Sequence, residues 1–212
     1  MYSFVEDKRE LKEIREVCEQ IIKSIQSSWL KEYFTFQFNL IGSGGVKLVT
    51  RNGSDGEYDL DYNLIIQKDK QNLFSNPKRI KEIFIEAFND VNPNFGFKNA
   101  ENSSSVITSK LVYDNRLYFS FDVAILCEGY NGNYLKITQN KKTSQYYWNE
   151  IKSSRNYKSK MNALKKLGVW NEVRNLYLSK KNMHLSRQDE IASFSVLLET
   201  LNELSFQYGI EI

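Results

Sequence analysis

Glu57-Tyr58-Asp59-Leu60-Asp61-Tyr62-Asn63-Leu64-Ile65-Ile66 alternates between two kinds of side chain. Successive residues of a strand point to opposite faces, so the segment from Glu57 to Gln67 reads as a β-strand. Tyr58, Leu60, Tyr62 and Leu64 then share one face, towards a core, while Asp59 and Asp61 project together from the other. Two neighbouring carboxylates repel and are costly to hold together without a cation between them. Hard oxygen ligands at this spacing suit Mg²⁺. A solvent-facing strand edge carrying two acids is the other reading of the pair taken alone.

Upstream, Phe38-Asn39-Leu40-Ile41-Gly42-Ser43-Gly44-Gly45-Val46-Lys47 runs from an apolar strand (Tyr33 to Ile41) through a Gly-Ser turn into a short helix. Glycines let a backbone approach a ligand closely, and free amides at a helix start suit a phosphate. The Gly-Lys-Ser/Thr ending of a Walker loop is missing, as is dinucleotide-binding glycine spacing. Before the strand, Leu11, Ile14, Cys18, Ile21 and Ile25 recur at helical spacing and predict a helix from Glu6 to about Ser27. Downstream, Pro77 to Val91 is a second helix, with Ser75 or Asn76 as its cap. Val106 to Tyr113 and Arg116 to Cys127 read as strands joined by a tight Asp114-Asn115 turn, and Tyr134 to Thr138 as a further short strand. Asp122 is the single acid in the otherwise apolar run Tyr118 to Leu126. A lone carboxylate in a central strand needs a compensating partner, and a metal shared with a neighbouring strand supplies one.

The remainder reads as helical. Tyr157, Met161 and Leu164 share a face that Gly168 would close, and Val169 to Leu178 forms a second helix. A capping-box-like start at Ser186 to Asp189 precedes the stripe Ile191, Phe194, Leu198, Leu201 and Leu204. The expected organisation is an α+β core over residues 1–140, a mixed sheet flanked by helices, with a C-terminal helical lobe over 141–212 packed on it. The 212 residues are 41% hydrophobic and 26% charged, which excludes collagen-like, coiled-coil and wholly disordered chains. No apolar run reaches the length of a membrane helix and the start lacks a signal-peptide pattern, so no membrane partner is expected and the protein is read as cytoplasmic. Cys18 and Cys127, each in an apolar pattern, read as buried free thiols. His184, the single histidine, cannot build a Cys/His zinc site and reads as solvated in a polar loop. From Leu135 to Arg187 the net charge is +11 against −8 elsewhere, which suits a polyanion such as a triphosphate or RNA.

Gly42-Ser43 after a strand, Asp59-x-Asp61 in the next and a single Asp122 in a later one together resemble the nucleotidyltransferase superfamily of the DNA polymerase β type. Leu48-Val49-Thr50-Arg51-Asn52 ahead of the Asp-x-Asp is similar to bacterial nucleotidyltransferase-like proteins. The resemblance covers about Tyr33 to Leu126. Ser43 and Asp59 lie 16 positions apart, longer than is common there, and Arg51 to Gly56 reads as the loop that absorbs the excess. The resemblance implies two Mg²⁺ ions, with Mn²⁺ as a substitute, held by Asp59, Asp61 and Asp122. It implies an NTP whose phosphates lie on Gly42, Ser43 and Gly44, with Lys47 and Arg51 near enough in sequence to touch phosphate. Lys158 and Lys160 are further candidates. The implied activity is transfer of a nucleoside monophosphate, with pyrophosphate released, to an acceptor that is a small molecule, a protein hydroxyl, an RNA end or a second nucleotide. A nucleotide- or RNA-binding module without turnover, as half of a two-component system, is the alternative. A structural protein with accidental acids is the third.

Overall fold

The computed structural model describes residues 1–53, 56–151, 156–189 and 191–211. The chain opens with a short strand, β1 (Tyr2–Phe4), that its hydropathy does not announce. Asp7 then caps helix α1 (Lys8–Ser27), its carboxylate accepting from the amides of Arg9 at 2.8 Å and Glu10 at 3.1 Å. Those amides have no partner within the helix, which is why the helix starts at the cap and not at Glu6. Strand β2 (Phe34–Ile41) runs into the one-turn helix α2 (Gly42–Val46). Next comes β3 (Thr50–Asn52), antiparallel to β1 with Phe4 opposite Thr50. The spacer expected over Arg51 to Gly56 thus begins as a strand, while Ser54 and Asp55 lie outside the described residues.

The long strand β4 (Tyr58–Asp69) carries the Asp-x-Asp motif. Helix α3 (Pro77–Val91) follows, capped by Asn76, whose side chain accepts from the Arg79 amide at 3.1 Å. Strands β5 (Glu101–Asn102), β6 (Ile107–Tyr113) and β7 (Arg116–Glu128) come next. The β6–β7 turn places both Asp114 and Asn115 at positive φ, 47° and 60°, the geometry that matches the twist of a two-residue hairpin. Strands β8 (Tyr134–Gln139) and β9 (Tyr146–Glu150) complete the sheet. Its order is β2-β4-β7-β6-β5, with β8 on the far end of β7 and β9 beyond β8. Strands β4 and β7 are parallel and the other pairs antiparallel. One face of the sheet is covered by α1 and α3: Phe34, Tyr62, Leu64, Phe119 and Phe121 pack with Ile21, Ile25, Ile80 and Phe84. Cys18 and Cys127 are free and buried, and burial raises the Cys127 thiol to about 11.

The C-terminal segment folds as α4 (Tyr157–Lys166), α5 (Trp170–Ser186) and α6 (Ser193–Gln207). Their core of Leu164, Val173, Tyr177, Val196, Leu197, Leu201 and Leu204 also takes in Leu48, so the stretch after α2 is shared between the two parts. Strand β9 pairs with β8, so the sheet runs on past residue 140 to Glu150, and α4 begins at Tyr157. Two expectations are corrected. Helix α5 continues two turns beyond Leu178, and Ser186 ends it instead of capping the next helix. His184 therefore sits in a helical turn, with Nδ1 3.0 Å from Asp189 Oδ2. In α6 the buried stripe is Val196, Leu197, Thr200, Leu201 and Leu204, leaving Ile191 and Phe194 exposed.

Lys81 on α3 is 2% exposed, its ammonium donating to the Ser103 carbonyl and standing 5.8 Å from the Tyr146 ring. Burial, with the charge of Lys136, lowers its pKa from 10.5 to about 8. Between those values the unfolded chain binds more protons than the folded one, so Lys81 makes stability rise with pH across that window. Lys81→Met should flatten the rise, read as the difference from wild type in urea unfolding at about pH 7 and about pH 10. Parallel slopes would show that the ammonium is not desolvated in the fold.

Candidate active site

The site lies on the sheet face opposite α1 and α3. Pairing sets its geometry: β2 places Ile41 opposite Asp61, and the parallel β4–β7 register places Asp61 opposite Asp122 and Asp59 opposite Ser120. The Gly-Ser turn therefore leaves β2 beside the second aspartate. Gly42 sits at φ +58°, and a Cβ there would stand 2.3 Å from Asp61 Oδ2. Only glycine satisfies both the left-handed backbone and this close approach. Gly44 presses on Leu60 and Leu40 in the same way, with Cβ distances of 2.7 and 3.0 Å. No side chain caps α2, so its first amides lack a partner within the helix and from its cap residue.

The three carboxylates share an electrostatic field. Burial raises the Asp61 pKa to about 7, with the charges of Asp59 and Asp122 adding to the rise. Burial also raises Asp59, offset in part by the ammonium of Lys181, and raises Asp122, offset by a hydrogen bond from Thr108. That bond runs from Thr108 Oγ1 to Asp122 Oδ1 at 2.5 Å, across the β6–β7 register. Among the described residues, no three acidic, histidine or cysteine side chains converge into a ready metal cage. Mg²⁺ does not require one, because it is commonly held by one or two carboxylates together with substrate phosphates. An all-oxygen donor set whose members resist ionisation chiefly because burial disfavours their charge fits such an ion.

The other expected residues divide. Asp59 and Asp61 lie on β4, Asp61 opposite Asp122 across the β4–β7 register, and Gly42 approaches Asp61, while Gly44 packs on Leu40 and Leu60. Lys47 is exposed at the end of α2 in a left-handed conformation (φ 61°), and its carbonyl accepts from Arg174 Nη1 at 3.1 Å. Arg51 is engaged elsewhere: its guanidinium donates to Glu10 Oε1 at 2.6 Å and lies 4.9 Å from the Tyr58 ring centroid, on the α1 side of β4. Lys158 is exposed, and Lys160 donates to Asn202 at 2.9 Å.

Sequence reasoning missed Lys181 and Thr108. Lys181 projects from α5, donating to Thr50 Oγ1 at 2.7 Å and lying 4.2 Å from the Tyr2 ring centroid, and its charge acts on Asp59. Neighbouring Asn182 donates to the Tyr2 carbonyl at 3.1 Å and accepts from its amide at 2.6 Å, taking the place of a strand partner. The i, i+4 spacing from buried Val173 through Tyr177 to Lys181 was the available signal.

No family model matches the sequence, and no curated protein matches it. Solved structures do. The Vibrio cholerae cyclic AMP-GMP synthase DncV, in complex with the linear intermediate pppA(3′,5′)pG, is 13% identical. The match covers 94% of this chain and 67% of that one, with a TM-score of 0.58. The GTP-bound form of DncV matches at 17% identity over 90% of this chain and 51% of that one, TM-score 0.56. The Elizabethkingia meningoseptica cyclic dinucleotide synthase CdnE, with GTP and Apcpp, matches at 13% identity over 89% and 68%, TM-score 0.54. The chain thus spans about half to two thirds of the length of the structures it matches. The strand order and these likenesses agree: the chain shares its fold with the cyclic dinucleotide synthases DncV and CdnE.

Proposed function

We propose that this chain is a divalent-metal-dependent nucleotidyltransferase that moves a nucleoside monophosphate from an NTP to a hydroxyl acceptor and releases pyrophosphate. One observation carries the reading: Asp59, Asp61 and Asp122 stand on adjacent strands in matched register, with the Gly42-Ser43 turn closing on Asp61. A ribose hydroxyl of a second nucleotide is the acceptor we favour, since the solved structures of similar fold include cyclic dinucleotide synthases. The polymerase β resemblance by itself names no acceptor.

Asp59 and Asp61 would hold one Mg²⁺ together with phosphate oxygens, and Asp122 with them a second; Mn²⁺ suits the same oxygens. When bound, the ions neutralise charge on the entering and leaving oxygens. The amides of Ser43 and Gly44, with the Ser43 hydroxyl, donate to the β- and γ-phosphates. The Lys181 ammonium, half-buried beside Asp59, supplies positive charge to the triphosphate. Asp122 takes the proton of the acceptor hydroxyl. The acceptor oxygen bonds to the α-phosphorus as the bond from that phosphorus to the α–β bridging oxygen breaks, and pyrophosphate leaves with that electron pair.

Asp61→Asn should abolish the Mg²⁺-dependent rise in thermal stability with NTP, and with it pyrophosphate release. Its ligand-free stability should match or exceed wild type because repulsion is relieved. A strongly destabilised but nucleotide-competent variant would assign Asp61 a structural role. Gly42→Ala should cut turnover by more than its loss of stability accounts for: the left-handed backbone costs about 1–2 kcal/mol for an L residue, and the added Cβ also displaces the carboxylate of Asp61. Comparing pyrophosphate release with the urea midpoint decides it, and equal losses would count against the turn's role. Lys181→Met should weaken NTP about 10-fold or more and the monophosphate far less, as a lost charge-assisted hydrogen bond would. Calorimetry of the two ligands separates that from a general loss of binding.

A further inference from the structure

Asp122 lies between unlike neighbours. On β4 it faces the carboxylate of Asp61, and on β6 the hydroxyl of Thr108. The 2.5 Å bond from Thr108 Oγ1 to Asp122 Oδ1 falls in the range of charge-assisted O–H···O⁻ bonds. With its hydrogen committed to Asp122, Thr108 can only accept from Ser103 Oγ, which stands 3.4 Å away. Ser103 is itself held, its amide donating to Val106 at 3.1 Å and its carbonyl accepting from the buried Lys81. Donated hydrogens therefore run from Ser103 to Thr108 to Asp122, anchored at the far end by a charged side chain inside the fold. Among the described residues no other side chain donates to Asp122, so one oxygen is committed and the other remains available.

We propose that Thr108 is a positioning residue. By holding Oδ1 of Asp122 it presents the remaining oxygen to a second divalent ion beside Asp61, while the ion held by Asp59 and Asp61 does not depend on it. This rests on the reading of the site as a metal–nucleotide centre. Among the described residues no comparable hydrogen bond holds Asp61, whose Oδ2 lies 2.3 Å from where a Cβ on Gly42 would stand. Outer partners that orient a metal ligand change metal affinity by about 10- to 100-fold when removed, which sets the scale of the effect.

The test counts bound Mn²⁺ by electron paramagnetic resonance in the presence of α,β-methylene ATP, which cannot release pyrophosphate. Wild type should take two ions. Thr108→Val, close to isosteric and at home in a strand, should keep the tighter ion within about 2-fold and weaken the other about 10-fold or more. Thr108→Ser, which keeps the hydroxyl, should stay within about 3-fold of wild type at both. Ser103→Ala should weaken the second ion by a smaller factor and serves as the deciding variant if Thr108→Val does not fold. Thr108→Val taking both ions like wild type, or losing both alike, would overturn the positioning role. Wild type taking fewer than two ions with the nucleotide would overturn the metal–nucleotide reading itself, and the role of Thr108 with it.

Discussion

Three carboxylates held side by side on one sheet face, Asp59 exposed and Asp61 and Asp122 half-buried, are the constraint around which the molecule is arranged. They stay in place because β4 and β7 run parallel in one fixed register, so that Asp61 and Asp122 are directly paired. A slip of one residue would turn every aspartate into the core and every core tyrosine and leucine out of it. What prevents the slip is the opposite face, where Tyr62, Leu64, Phe119, Phe121 and Val123 are all buried against α1 and α3. The hydrophobic core thus does more than stabilise: it holds in register a set of charges that would otherwise separate.

The surroundings of the three acids differ, and so do their electrostatics. Asp59 has Lys181 within its field and Asp122 the Thr108 hydroxyl, while among the described residues the charges acting on Asp61 are the other two carboxylates. Burial and the neighbouring carboxylates accordingly raise Asp61 to about 7. A cation arriving between the strands would relieve the repulsion that those charges exert on it.

Much of this was legible in the sequence. The two-residue alternation around Asp59 and Asp61, the apolar strand interrupted by Asp122 and the Gly-Ser turn are local patterns, and each maps onto the element that carries it. Helix α3 could be read from Pro77 to Val91, because Pro77 suits a first turn, and the structure chooses Asn76 over Ser75 as its cap. What escaped is non-local. Strand β1 has three residues and acquires meaning only through its pairing with β3, 50 residues away at Tyr2–Asn52. The second half of α5 looked like a polar loop because Lys181 and Asn182 are polar, yet both are spent on contacts with Thr50 and Tyr2 that hydropathy cannot reveal. Arg51 was expected near phosphate from its position in the chain, but Glu10 on α1 claims it.

The pairing of Asn182 with both backbone groups of Tyr2 has a mechanical consequence. Lys181 and Asn182 are adjacent on one helix, so the amide that grips the β1–β3 ribbon and the ammonium that faces Asp59 move as one lever. A rotation of α5 that released the ribbon would also withdraw a positive charge from the carboxylates. Seating of the helical lobe and electrostatic balance at the sheet are therefore one degree of freedom, read out through a two-stranded ribbon at the start of the chain.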